Sequence, residues 1–320
     1  MSISLRNLNI WNGNRTIPEN SIDIDGKVIT KIGFDLPKNK NSIDCSGMTA
    51  IPGLIDAHVH LELNPDDQAP PNKVPSDIAT LMAERANKMA KAGITTARDL
   101  GGGQWQEIAL RDQINLGLKP GPRLLCSGQP ITSPGGHCHF WGGEASNIQE
   151  ARQVLERQLA HQVDLIKVMA TGGRLTKGSS PVNAQFSLEE LAEIVDTAHF
   201  HHLPVAAHCH GTEGIYRAAM AGVDTIEHCS WVGEEGWGTN FDESIVGKMA
   251  SNGVWVSPTI NAGWRRFKNP QFVEMVRANY CKMKSAGVRL IASTDAGIPG
   301  VYHHDLPKAL PEFARFCELS

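Results

Sequence analysis

The sequence predicts an α/β fold: a (β/α)8 TIM-type barrel preceded by a small N-terminal β domain. Three observations predict it. From about residue 51 onwards, eight short apolar runs alternate with longer amphipathic segments, the strand and helix patterns in turn. The runs are apolar on both faces, as in parallel strands covered by helices on one side and packed on one another on the other. Before residue 51 the pattern differs: short alternating runs are broken by Asn-Gly, Asp-Gly and Ser-Gly pairs, which mark antiparallel strands and tight turns. A doubly wound open sheet is the competing topology. Gly101-Gly102-Gly103 follows the second run but lacks the G-x-G-x-x-G spacing of a dinucleotide loop.

In chain order, residues 1–50 supply three or four antiparallel strands with Ile22, Ile24, Val28 and Ile32 as their apolar face, a partial β-sandwich domain. Residues 51–320 hold the barrel. Its strands are expected at 54–60, 94–100, 123–128, 164–170, 204–210, 225–230, 254–259 and 289–296. Helices lie between them, for example at 77–92, 147–161 and 187–202. Ser187 and Glu190 make a capping box, and Ala-Gly pairs ending at Gly93, Gly222 and Gly287 supply C-terminal caps ahead of the next strand. Residues 306–320 are expected to begin a last helix that is cut short, with no C-terminal strands to complete the sandwich that residues 1–50 start. Either the chain is a fragment, or a second chain supplies the missing part, or the sheet keeps open edges, which would favour a homo-oligomer.

Composition narrows the partners. The net charge of −4 and isoelectric point near 6.3 leave no basic surface for nucleic acid or an anionic membrane. Aromatic residues make up 6% of the chain, which also argues against a base-stacking surface. With a mean hydropathy of −0.24, no apolar run reaches the length of a membrane span, and the N-terminus does not read as a signal peptide. None of the seven cysteines forms a C-x-x-C pair, so a disulfide framework is not expected and a reducing cytoplasm is. The 13 histidines, many in short clusters, point to a metal or acid/base site.

A barrel's active site lies at the C-terminal ends of its strands, so polar residues interrupting those ends carry the functional reading. His58 and His60 end the first strand two residues apart, and both rings therefore face one side, where they can chelate one divalent ion; a pair of hydrogen-bonded core histidines is the structural alternative. Lys167 lies inside a buried strand, where a free ammonium is costly. It either snorkels to the barrel mouth or, as a carbamate formed with CO2, becomes an anionic metal ligand. His208 and His210 share a face of the fifth strand, His228 ends the sixth and Asp295 the eighth. Four of eight strands deliver His or Asp to one rim, and a fifth delivers the lysine.

These residues stand in words that resemble the amidohydrolase superfamily: IPGLIDAHVH (51–60), DLIK (164–167), AHCHG (207–211), GVDTIEH (222–228) and STDAG (293–297). The flanking words are similar to the imidazolonepropionase-like and Xaa-Pro dipeptidase-like branch. The resemblance implies two divalent ions, zinc first among them. His58, His60 and Asp295 would bind the buried ion and His208 and His228 the exposed one, with carboxylated Lys167 as the bridge. It implies a hydrolase acting on a C–N bond of an amide, peptide-like, carbamate or lactam substrate, with a metal-bridging hydroxide as nucleophile and Asp295 moving its proton. Carboxypeptidase- or dipeptidase-like activity belongs to this picture. The stretch GGHCH (135–139) resembles the loop that reaches over substrate, which nominates His137 as a catalytic contact and His139 as a neighbour. His210, Tyr216 and Arg174 are further candidate substrate contacts. The expected partner is a small molecule: an amide, N-acyl amino acid, dipeptide or carbamate.

Two alternatives stay open at the level of sequence. One is mononuclear chemistry, deamination or cyclic amide opening, against which Lys167 speaks because one-metal relatives lack it. The other is a truncated barrel that binds without turning over. The long loops at 62–76, with Pro65, Pro70, Pro71 and Pro75, and at 172–185, with Arg174 and Lys177, are where specificity would lie. Trp231 and Trp237 offer an apolar wall.

Overall fold

A computed structural model describes residues 2–37, 41–69 and 75–319; Pro70 and Pro71 of the first long loop lie outside these. The chain divides into two compact units, Met1–Gly53 and Leu54–Ser320.

The first unit carries seven short strands: β1 (Ser2–Arg6), β2 (Asn9–Trp11), β3 (Thr16–Ile17), β4 (Ser21–Asp25), β5 (Val28–Gly33), β6 (Ser42–Asp44) and β7 (Thr49–Ala50). They form two sheets, β5-β4-β1-β6 and β3-β2-β7. The Asp-Gly turn joins β4 to β5 with Gly26 at φ +58, a left-handed position that glycine takes without strain. Leu8, Ile10, Ile22 and Cys45 form the buried centre. Two expectations need correction. The β1–β6 and β2–β7 pairings are parallel, because tight turns dictate only the pairing of strands adjacent in the chain. Val28 and Ile32 are 62% and 43% exposed, since they lie on the edge strand β5, beyond the short second sheet that helps cover Ile22.

The second unit alternates strand and helix: β8 (Leu54–Val59), α1 (Ile78–Lys91), β9 (Ile94–Asp99), α2 (Gln106–Asn115), β10 (Arg123–Cys126), α3 (Ile148–Ala160), β11 (Ile166–Met169), α4 (Leu188–Phe200), β12 (Val205–Gly211), α5 (Thr212–Ala221), β13 (Thr225–Val232), α6 (Glu243–Ser251), β14 (Trp255–Ser257), α7 (Pro270–Ser285), β15 (Arg289–Leu290) and α8 (Leu306–Cys317). All of the strand pairings are parallel, in the orders β10-β9-β8 and β11-β12-β13-β14-β15. This is a TIM-barrel-type α/β fold. The capping box at the start of α4 is present, and α5 ends at Gly222 with φ +83. Helix α8 turns Leu306, Ala309, Phe313 and Phe316 inward.

The expected eighth strand at 289–296 is regular only at Arg289–Leu290, because side chains take over the pairing after it. Buried Asp56 accepts from the backbone N–H of Thr294 at 3.0 Å and from its hydroxyl at 2.6 Å. Ser293 Oγ accepts from Thr259 N at 2.9 Å. Backbone bonds from Ala57 N to Ala292 O (3.2 Å), from Asp295 N to His58 O (2.9 Å) and from His60 N to Ala296 O (2.7 Å) tie this segment to β8. Between β10 and β11, Ile131 N donates to Lys167 O and Met169 N to Ile131 O.

Candidate active site

The C-terminal ends of β8, β11, β12 and β13 and the segment after β15 open on one cavity of about 1150 Å³. His58, His60, Lys167, His208, His210, His228 and Asp295 all line it. His228 and Asp295 hold φ of +64 and +60. Non-glycine residues rarely sit there, and such strain concentrates at functional sites. It turns each side chain off its strand direction.

The side chains converge in two groups, His58–His60–Asp295 and His208–His210–His228. In the first, His58 Nε2 lies 3.2 Å from His60 Nε2, and Asp295 Oδ1 lies 3.2 and 3.4 Å from the two. Their other faces are assigned. His58 Nδ1 meets Glu227 Oε2 at 2.9 Å, and His60 Nδ1 donates to the carbonyl of Gly101 at 3.1 Å. Burial lowers His58 to about 4, so the ring is neutral. Two imidazole nitrogens and a carboxylate oxygen thus converge, one ligating atom from each residue, and this donor set fits a divalent ion. Burial would raise Asp295, but its close contacts with His58 and His60 hold it well below the usual carboxylate range.

The second group is all imidazole. His208 Nε2 donates to the carbonyl of Gly172 at 3.1 Å, leaving Nδ1 to face His228 Nε2 at 3.0 Å. His228 Nδ1 lies 2.8 Å from Thr259 Oγ1 and His210 Nδ1 3.0 Å from Ser230 Oγ. Burial first, then neighbouring histidines, pushes His208 and His228 well below the usual range and His210 to about 3. All three stay neutral, the form that ligates. His210, read from sequence as a substrate contact, stands within this donor group. Lys167 is fully buried, and burial lowers its pKa while Glu227 and Asp295 act against that.

His137 lines the cavity, its ring 4.5 Å from that of His208 and lowered to about 3 by burial. Gly173 approaches it so closely that a Cβ there would lie 2.5 Å from the ring. Arg174 lines the cavity with its guanidinium 4.9 Å from the centre of the Trp237 ring, and Trp237 sets its edge on His210 at 4.7 Å. Two candidates are not brought to the cavity wall. His139 starts a short 3-10 turn, His139–Trp141, with its ring against Phe140. Tyr216 sits half-buried on α5 against the main core, under Lys248. A residue one turn into that helix belongs to the layer outside the strands. Neither is among the residues that line the cavity.

Sequence reading passed over the charged residues behind the donors. Glu227 and Asp99 are fully buried in β13 and β9. Glu62, also buried, accepts from Trp141 Nε1 at 2.9 Å, and that indole stands 5.0 Å from the His60 ring. The available signal was a charge inside an apolar strand, the same signal that singled out Lys167.

Residues 49–317 match the amidohydrolase family. The chain is 30% identical over 260 residues to ochratoxinase of Aspergillus niger, covering 70% of this chain and 53% of that one; it spans about half the length of the curated relatives it matches. Among solved structures it resembles a Xaa-Pro dipeptidase with bound methionine, at 28% identity and a TM-score of 0.78 over 99% of this chain and 89% of that one. A prolidase complexed with N-methylphosphonate-L-proline is similar at 26% identity and a TM-score of 0.77, over 95% and 80%.

Proposed function

The chain belongs to the amidohydrolase family, and from that premise we propose that it is a metal-dependent hydrolase of a C–N bond in a small amide or peptide-like substrate. The observation that carries the reading is the meeting of His58 Nε2, His60 Nε2 and Asp295 Oδ1, one metal-ligating atom from each of three residues, within 3.4 Å of one another. In this reading the eight strands close into one ring around the site. His58, His60 and Asp295 hold one divalent ion, zinc by preference. His208 and His228 hold a second, and Lys167, carboxylated, lies between. Burial favours the neutral amine of Lys167, the form that adds CO2. Bound divalent ions supply Lewis acidity towards a carbonyl oxygen and lower the pKa of water towards neutrality.

The chain's own residues then divide the work. Asp295 is ionised and faces the centre, so its carboxylate accepts the proton of the attacking water and returns it to the leaving nitrogen. His137, neutral at the cavity wall, offers a ring N–H to the substrate carbonyl and steadies the charge that develops on it. Arg174 and Lys177 lie at the cavity with Trp237 and meet a substrate carboxylate, as a carboxypeptidase- or dipeptidase-like activity needs. Asp295 is the one carboxylate among the described lining residues, so an anionic substrate meets little repulsion away from the centre.

The test joins metal analysis to turnover. The purified chain is assayed for bound metal and for hydrolysis of a panel of N-acyl amino acids, dipeptides and aryl carbamates. The expected result is bound zinc and hydrolysis of at least one carboxylate-bearing amide, abolished by a chelator and restored by zinc. A folded protein that takes up no metal and cleaves none of the panel overturns the reading in favour of a non-catalytic barrel.

A further inference from the structure

We propose that Glu227, clamped by Arg98, is a positioning residue that fixes the tautomer of His58 and strengthens it as a ligand. This rests on the metal reading above but concerns residues outside the donor groups. Glu227 is fully buried in β13. Its Oε2 lies 2.9 Å from His58 Nδ1. Its Oε1 accepts from Arg98 Nη2 at 2.7 Å and from the Thr225 hydroxyl at 2.6 Å. With Oε1 engaged by two donors, Oε2 is left to accept, so His58 carries its proton on Nδ1 and turns a bare Nε2 towards His60 and Asp295.

Arg98 makes the arrangement rigid. Its Nε donates at 2.7 Å to the carbonyl of Ala57, the residue before His58, and its Nη1 donates at 3.0 Å to Thr225 Oγ1. One guanidinium on β9 therefore fixes both the backbone that carries His58 and the carboxylate that orients its ring. The other donor histidines lean on uncharged partners: His60 on Gly101 O, His208 on Gly172 O, His210 on Ser230 and His228 on Thr259. Among these described donors, His58 alone has a carboxylate behind it. Such a partner raises the basicity of an imidazole ligand, and its loss typically costs on the order of 10–100-fold in metal affinity. A buried ion pair is a costly way to stabilise a core that apolar residues could fill, which favours a role tied to His58.

The experiment uses Glu227→Gln in the full chain, with two readouts. The first is nitrogen-15 NMR of histidine-labelled, metal-free protein, which reports which ring nitrogen of His58 is protonated. The wild type is expected to show the Nδ1–H form and the variant a mixture of tautomers. The second is zinc affinity by competition with a colorimetric chelator. One zinc equivalent is expected to weaken by roughly 10–100-fold and the other to stay within a factor of a few. Glu227→Asp, which keeps the charge, is expected to recover part of the affinity. If Glu227→Gln misfolds, the pair Arg98→Met with Glu227→Gln removes both buried charges and carries the same two readouts. An unchanged His58 tautomer, or unchanged affinity at both equivalents, overturns the proposal. A wild type that binds no zinc defeats the metal reading instead, and the tautomer of the metal-free protein still decides the role of Glu227.

Discussion

The two candidate donor groups differ both in their own charge and in what backs them. His58, His60 and Asp295 include an anion and draw on a second, Glu227, which is itself held by Arg98. His208, His210 and His228 are neutral and rest on two hydroxyls and a carbonyl. A site holding a negative charge before any cation arrives binds that cation more tightly than an all-imidazole site. If both groups hold ions, the first would hold the tighter one, and the second is the group beside the aromatic–cationic wall of Trp237 and Arg174. The comparison teaches that the constellation of six residues is not one uniform cage.

The largest break in that comparison is Asp295→Asn, which removes the first group's own anion and the proposed proton carrier together. Turnover is expected to fall by on the order of 10²–10⁴-fold, measured beside zinc content. Full activity with zinc retained would remove Asp295 from proton transfer. Next comes Lys167, the residue proposed to bridge the groups. Lys167→Ala is expected to lose most activity and part of its metal, and formate or propionate added to the assay is expected to restore some of each. Unchanged metal content with no rescue sinks the carbamate.

Graded chelation sharpens the comparison further. The second group is expected to release its zinc at a chelator concentration roughly tenfold or more below the first, given what a carboxylate partner contributes; simultaneous release would erase the distinction. Acid acts on both groups through protons. In the metal-free protein, burial lowers His58, His137, His208, His210, His228 and His303. Below the ordinary histidine value the unfolded chain binds the protons that these rings refuse, so stability falls as pH drops from about 6.5 towards 4. Burial raises Asp56 to about 7, Asp99 to about 6 and Glu107 to about 8. Those carboxyls stay protonated in the fold where the unfolded chain has ionised, so their contribution fades as pH rises from about 4 through 6 to 8. Six rings outweigh three carboxyls on the acid side. Thermal unfolding of the metal-free chain should therefore show a maximum at roughly pH 6 to 7, and a midpoint that rises steadily on acidification would refute that balance.

Sequence reading reached some of this and missed the rest for physical reasons. Strand-end polarity and period two brought out His58, His60, Lys167, His208, His228 and Asp295, because a charged or imidazole group inside an apolar strand stands out locally. Period two also hid Glu227. Adjacent residues on a regular strand face opposite sides, so period two cannot place both His228 and Glu227 inward. The left-handed φ of His228 breaks that alternation, and nothing local in the sequence marks the break. The same limit explains the eighth strand, where Thr294 bonds to Asp56 and Ser293 to Thr259 beside the backbone pairs, partners far away in the chain. It also explains Val28 and Ile32, whose exposure depends on the edge position of β5. Local chemistry was legible; partners remote in sequence were not.

The smallest expected effect tests where substrate lies relative to the two groups. Arg174 stands against Trp237, and Trp237 against His210, which puts a positive charge on the side of the second group. Arg174→Met keeps much of the contact with the indole and removes the charge. If the substrate carboxylate binds there, KM for an N-acyl amino acid should rise about tenfold, the worth of one hydrogen bond to a charged group, with kcat little changed. The corresponding primary amide, which lacks the carboxylate, should be insensitive to the substitution. An equal loss for both compounds would mean that Arg174 supports Trp237 rather than substrate. A fall in kcat with KM unchanged would move the carboxylate to Lys177 or to the far wall of the cavity, and with it the direction from which substrate approaches the second group.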